Sequence, residues 1–346
     1  MKKVLTALLA TGLVLSATPA QAAGVTISGS GSTAVKNLLD VCIPDYQSAT
    51  GNTVNYAGGG SGAGRAALQA GTVDFAFSDV PYGATEKKPA DFLYIPAVQF
   101  PVAVFANIKG YKGSLNLSTK TVTGIFGGKI TKWNDKAIAA DNKGVKLPKT
   151  AITVWYRSDK SGTTGIFTNW LTKQDPMTWS KPADQTFTVA FPGAAVPAGT
   201  FQGAQGSDLV ASGVASKDGS IGYAETSYAT ERKLVVANIQ NNSKEFVAPN
   251  AKATALFNNG FKAGARGTIT VDPLTKVKGG YTLAGFAYGL AYGSDLAKNK
   301  DKQAAVAEFM TYVLGTCAKN HAVEKGYSPI TGNLLGLAKS AIAEIK

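Results

Sequence analysis

The chain has 346 residues, with 35 Lys and Arg against 22 Asp and Glu, one histidine and two cysteines. One imidazole and two thiols cannot build a Cys/His-rich metal site, and they leave little for a Ser-His or Cys-His hydrolase. The formal charge of +13 suits an anionic partner, but Lys and Arg are scattered rather than clustered with aromatics, which argues against nucleic acid and for a small anion.

Residues 1–22 open on Met1, Lys2 and Lys3, continue in an apolar run over 4–15 and end on Ala20, Gln21 and Ala22. This is the pattern of a cleaved secretory signal peptide. No cysteine follows the apolar run at the cleavage point, so no lipid anchor is expected. No later run approaches the roughly 20 apolar residues of a membrane span, so a soluble mature protein is expected. Its length predicts two domains of about 150 residues. In an oxidising compartment Cys42 and Cys317 are expected to pair as a disulfide, two buried free thiols being the alternative.

A strand is predicted over 25–27, then a turn S-G-S-G-S-T at 28–33, then a helix with Val35, Leu38, Leu39, Cys42 and Tyr46 at helical spacing. Ser32 or Thr33 would cap that helix, and Pro44 should kink or end it. A second strand over 53–56 leads into G-G-G-S-G-A-G at 58–64 and a helix over 65–70. Neither turn has the spacing of a nucleotide P-loop or a dinucleotide fingerprint. They read as turns that cradle an anion, or as plain strand-to-helix turns. A strand over 73–77 ends at Ser78 and Asp79. An acid at the carboxyl end of a strand lies on the ligand edge of an α/β sheet; a turn-initiating Asp is the alternative.

The apolar run over 93–108, with Pro96 and Pro101, predicts a buried strand passing between domains. A helix over 121–130 and a short helix after the turn at 131–135 follow. A strand over 151–156 then enters R-S-D-K-S-G-T-T at 157–164, and Ile166, Phe167, Trp170 and Leu171 continue on one helical face. Ser161 is a natural N-cap. Free amides at a helix start, a guanidinium and hydroxyl donors together favour a bound oxyanion. A capped helix with a surface Arg–Asp pair is the plainer reading. Residues 173–207 are expected as surface loop. Helices over 207–214, 251–259, 302–316 and 334–345 are interleaved with strands over 219–223, 234–237 and 282–292, the last as the return crossing. This alternation predicts an α/β cleft protein.

Seven stretches carry a resemblance: G-S-G-S-T at 29–33, T-G-N-T-V-N-Y at 50–56, G-S-G at 60–62, T-V-D-F-A-F-S-D at 72–79, I-F-G-G-K-I-T-K-W-N-D at 125–135, R-S-D-K-S-G-T at 157–163 and G-S-I-G-Y at 219–223. In this order the chain resembles the periplasmic phosphate-binding proteins of the phosphate-specific ABC transporter, the PstS family. The resemblance implies a two-lobed, type II α/β fold, with 23–100 and 281–346 forming one lobe and 101–280 the other. It implies a periplasmic monomer that binds inorganic phosphate, works with a membrane permease, needs no cofactor or metal and is not an enzyme. It also implies the site. Thr33 and the amide of Ala34, with Ser61, would donate from the first lobe, where Asp79 would accept the phosphate proton. Arg157 would pair with the anion, Asp159 would hold Arg157, and Ser161, Gly162 and Thr163 would donate from a helix start. Two positions depart from the family. Ala34 stands where Phe is usual, and Lys160 stands where glycine is common, adding charge near the cleft rim. Another oxyanion or phosphonate as ligand, a secreted phosphatase and an adhesin are the competing expectations. Neither set of residues encloses an anion alone, so binding should close a hinge.

Overall fold

The computed structural model describes residues 24–293 and 299–345, so the expected signal peptide lies outside the described residues. The strands are β1 (Thr26–Gly31), β2 (Thr53–Ala57), β3 (Phe75–Ser78), β4 (Leu93–Ala106), β5 (Leu115–Leu117), β6 (Thr153–Arg157), β7 (Phe201–Ala204), β8 (Ser220–Glu225), β9 (Val235–Gln240), β10 (Phe246–Val247), β11 (Ala284–Ala291) and β12 (Ser328–Pro329). Their main path runs β2-β1-β3-β11-β4-β8-β6-β7.

One strand organises this path. β4 is buried at every position after its first, because helices cover both faces of the sheets it joins. From Leu93 to Pro101 it pairs antiparallel with β11; from Val102 to Ala106 it pairs with β8. The apolar run over 93–108 is thus a single strand shared by two sheets. Pro96 cannot donate to a ladder, and the register against β11 slips there, between Ala287 and Tyr288. On one side β1, β2 and β3 are parallel, and on the other β6 is parallel to β7 and β8. Parallel neighbours need crossover helices. Lys36–Thr50 and Ser61–Gln69 serve the first sheet, and Gly162–Gln174 and Gly206–Ser216 the second. The carboxyl ends of β1, β2 and β6 therefore carry the three turns singled out in the sequence, and that of β3 carries Asp79.

Several expectations are corrected. The first helix neither starts at Ser32 nor stops at Pro44: it spans Lys36–Thr50 with Pro44 inside and no side-chain cap. Its buried stripe of Leu38, Leu39, Cys42 and Tyr46 outweighs the one hydrogen bond that proline removes. The segment 173–207 is not plain surface loop. It buries Trp179, Phe187, Phe191 and Phe201 and supplies β7 and a short helix, Phe187–Ala190. Its Pro, Gly and Ala content hid four aromatics that pack on one another and on Tyr223. The helix expected over 121–130 spans Thr119–Phe126, started by Ser118, whose hydroxyl accepts from the Thr121 amide. Helix Ala251–Asn258 packs on β4, β11 and β12, and Asn258 donates to the Gly285 carbonyl at 3.2 Å.

Cys42, on helix Lys36–Thr50, is bonded to Cys317 across 275 residues, with Cα atoms 5.4 Å apart. Closing so long a loop restricts the unfolded chain. Replacing both cysteines with serine is expected to cost about 2–5 kcal/mol, read as a lower urea midpoint, with a steeper slope because the unlinked unfolded chain exposes more surface. An unchanged midpoint would show that the bond adds nothing to stability.

Candidate functional site

The first turn leaves β1 at Gly31, whose φ is +134° and where a Cβ would meet the Phe77 carbonyl oxygen at 2.0 Å. This close passage sets Ser32 over the end of β3, where its hydroxyl donates to Asp79 and accepts the Ala34 amide at 3.0 Å. The second turn needs Gly60 at φ +94°, since a Cβ there would lie 2.3 Å from an Asp159 carboxylate oxygen. Ser61 follows, and its Oγ accepts the Asp79 amide at 3.1 Å.

Arg157 ends β6 and is 2% exposed. Its Nε and Nη2 donate to the two oxygens of Asp159 at 2.7 and 2.5 Å, a fork that fixes the guanidinium plane. Asp159 also accepts the Gly206 amide at 3.0 Å. Ser161 caps helix Gly162–Gln174, accepting the Thr164 amide at 3.1 Å. The two sides meet here. Thr163 donates to Asp79 at 3.1 Å, and a Cβ on Gly162 would fall 2.4 Å from Ser61 Oγ. Thr33, Ser61, Asp79, Arg157, Ser161, Gly162 and Thr163 are thus buried where the two sheets meet, with Asp159 partly buried behind Arg157.

Lys160 does not add free charge to that point. Its ammonium reaches Glu86 at 3.5 Å, and its carbonyl accepts the Gly62 amide at 3.0 Å. Ala34 is buried, with its carbonyl accepting from Tyr327 at 2.7 Å.

Two residues were missed. Ser207 opens helix Gly206–Ser216, and its hydroxyl lies 3.0 Å from that of Thr33 and accepts from Arg157 Nη1 at 3.2 Å. It was hidden because 173–207 read as loop, so the strand-to-helix turn at its end went unseen. Glu225 ends β8 and is buried beside Thr163 and Ser207. The signal that found Asp79, an acid at a strand end, applies equally to it.

The charges sort by partner. Burial pushes the Asp79 carboxyl above its usual range, and the Ser32 and Thr163 hydroxyls with the Arg157 charge limit the rise. Burial also opposes ionisation of Asp159, but the hydrogen bond and charge of Arg157 carry it below the usual range. Arg157 keeps its charge: burial disfavours it, and Asp159 more than offsets that. Among the described residues no group of three or more His, Cys, Asp or Glu is set to hold a metal ion. His321, the one histidine, pairs with Asp45 at 2.9 Å and takes no part in these bonds.

The family model described as the PBP superfamily domain matches residues 16–316. Phosphate-binding protein PstS of Xylella fastidiosa is 37% identical over 236 residues, 68% of this chain and 63% of that relative, so the match spans under two thirds of its length. Phosphate-binding protein PstS 3 of Mycobacterium leprae is 33% identical over 336 residues, 92% of this chain and 87% of the relative. The structure of the high affinity periplasmic phosphate-binding protein PfluDING, bound with phosphate, superposes with a TM-score of 0.74 at 23% identity, covering 91% of this chain and 93% of the other. The fold is thus that of a two-lobed periplasmic binding protein, and the chain belongs to the PBP superfamily and, within it, to the family of the PstS proteins.

Proposed function

We propose that this chain is a periplasmic receptor that binds inorganic phosphate between its lobes and delivers it to the permease of an ABC transporter. The observation that carries this reading is a buried guanidinium and a buried carboxylate facing one ring of hydroxyl and amide donors. In this reading Thr33, the Ala34 amide and Ser61 donate from one lobe, and Arg157, Ser161, the Gly162 amide and Thr163 from the other. These fixed donors replace the water that the anion loses. Asp79 accepts the proton that phosphate still carries at neutral pH. Sulfate has none and would meet Asp79 as an unpaired like charge. The chain acts as a carrier rather than a catalyst, in keeping with its relatives, which are named phosphate-binding proteins.

The lobe division expected from the sequence, 23–100 with 281–346 against 101–280, is refined in this proposal. Pairing of β4 with β8 from Val102 supports the first crossing near 101. Packing of helix Ala251–Asn258 on β11 and β12 favours a second crossing near 250 rather than 280. No helix among the described residues is long and apolar enough to cross a membrane. The leader pattern at 1–22 and the periplasmic binding-protein fold support a place in the periplasm.

The test is a calorimetric titration after unfolding and refolding have removed carried-over ligand. Phosphate is expected to bind with one site per chain, and sulfate about a thousandfold more weakly or worse. Equal affinities, or no phosphate binding, would overturn the proposal.

A further inference from the structure

Glu225 is 1% exposed. Its Oε1 lies 3.4 Å from the hydroxyls of Thr163 and Ser207. Its Oε2 is buried and has no hydrogen-bond partner among the described residues. The donors are contested. Thr163 has one hydroxyl hydrogen and two carboxylates in reach, Asp79 at 3.1 Å and Glu225 at 3.4 Å. Ser207 also has one, with Thr33 at 3.0 Å and Glu225 at 3.4 Å as candidate acceptors.

Three carboxylates therefore converge here, and the Arg157 charge is matched by Asp159. An incoming oxyanion adds further negative charge in a site closed to water. Asp79 has a hydroxyl donor on each oxygen, from Ser32 and Thr163, whereas Glu225 has two long contacts on one oxygen and none on the other. Glu225 is the weaker carboxylate to keep ionised. As an anion it draws the hydroxyl hydrogens of Thr163 and Ser207 toward itself. As a neutral acid its O–H donates to one of those oxygens and releases their hydrogens to the bound anion.

Resting on the phosphate reading above, we propose that Glu225 is a positioning residue of the anion site that takes up one proton from solvent as the oxyanion binds and turns Ser207 and Thr163 to face it. The titratable and charged groups that act with it are Asp79 after β3, Arg157 at the end of β6, Tyr228 on helix Thr226–Glu231 and Tyr327 before β12. Burial, then the charge of Asp79, push the Glu225 carboxyl up to about 7, with Arg157 pulling the other way. The switch thus falls in the range where phosphate itself titrates.

Comparison with Glu225→Gln removes the contribution of phosphate's own ionisation. If binding requires the neutral acid, the ratio of wild-type to Glu225→Gln dissociation constants rises about tenfold between pH 6 and pH 8. In calorimetry at pH 8, across buffers of different ionisation enthalpy, the wild type takes up about one proton more per phosphate than the variant. Should the variant misfold, carbon-13 NMR of glutamate-labelled wild type reads the same event. One carboxyl should titrate near neutrality without ligand and stay protonated past pH 8 with phosphate. A pH-independent ratio with equal uptake, or glutamates that all titrate in the ordinary acid range, would overturn the assignment of Glu225 alone. No phosphate binding by the wild type would overturn the phosphate reading and this one together.

Discussion

Arg157→Met is expected to lower phosphate affinity by about a thousandfold. The guanidinium is buried, its fork is set by Asp159, and Nη1 points to Ser207. Methionine fills similar volume but leaves the anion and Asp159 without a counter-charge. Removing one partner of a buried charge pair typically costs about 3–5 kcal/mol, and about 1.4 kcal/mol is tenfold in affinity. The Asp159 carboxyl, now held below its ordinary range chiefly by Arg157, would rise once that charge is gone. Arg157→Lys should recover only part of the loss, because an ammonium cannot reproduce the planar fork. Titration calorimetry with a thermal melt on each variant separates lost binding from lost folding. An affinity within tenfold of wild type would remove Arg157 from the site.

The second large effect is on selectivity. Asp79→Asn should reduce the preference for phosphate over sulfate from about a thousandfold to about tenfold or less. The amide keeps the shape and removes the charge, so sulfate no longer faces a like charge and phosphate loses its proton acceptor. The same change should make the ligand-free protein more stable at neutral pH. The Asp79 pKa is raised in the fold, so the folded state binds more protons than the unfolded chain. Stability therefore falls as pH rises from the ordinary Asp value through the raised one, and asparagine removes that loss. Paired titrations with both anions and urea curves at pH 5 and pH 7.5 test the two parts. An unchanged anion ratio would exclude Asp79 as the selector.

Arg157 and Asp159 are two residues apart, and Ser161 caps through Thr164, three residues on. Such contacts form within one turn of chain, so hydroxyls, glycines and charges between a strand and a helix announced them. The turns at 28–33 and 58–64 were legible for the same reason, and so was the end of β3 at Asp79. A helix end at Pro44 and a surface loop over 173–207 were not realised because each local rule was outvoted by burial: of the stripe around Cys42 in one case, and of Trp179, Phe187, Phe191 and Phe201 in the other. Ser207 and Glu225 looked ordinary because what makes them notable is their company.

The sequence by itself determined the parts of the molecule: strand–turn–helix units, an apolar crossing strand, and anion-suited turns at strand ends. These follow from backbone preference, side-chain period and short-range hydrogen bonding, all fixed within a few residues. Only the tertiary structure decided the assembly. It set Thr163 against Asp79 across 84 residues and Ser207 against Thr33 across 174. Contacts of that span depend on how the two sheets share β4 and close on one another, and no local pattern encodes that. The same closure strips water from Glu225 and brings the Asp79 charge near it, so the unusual proton affinity of this carboxyl belongs to the fold and not to the residue.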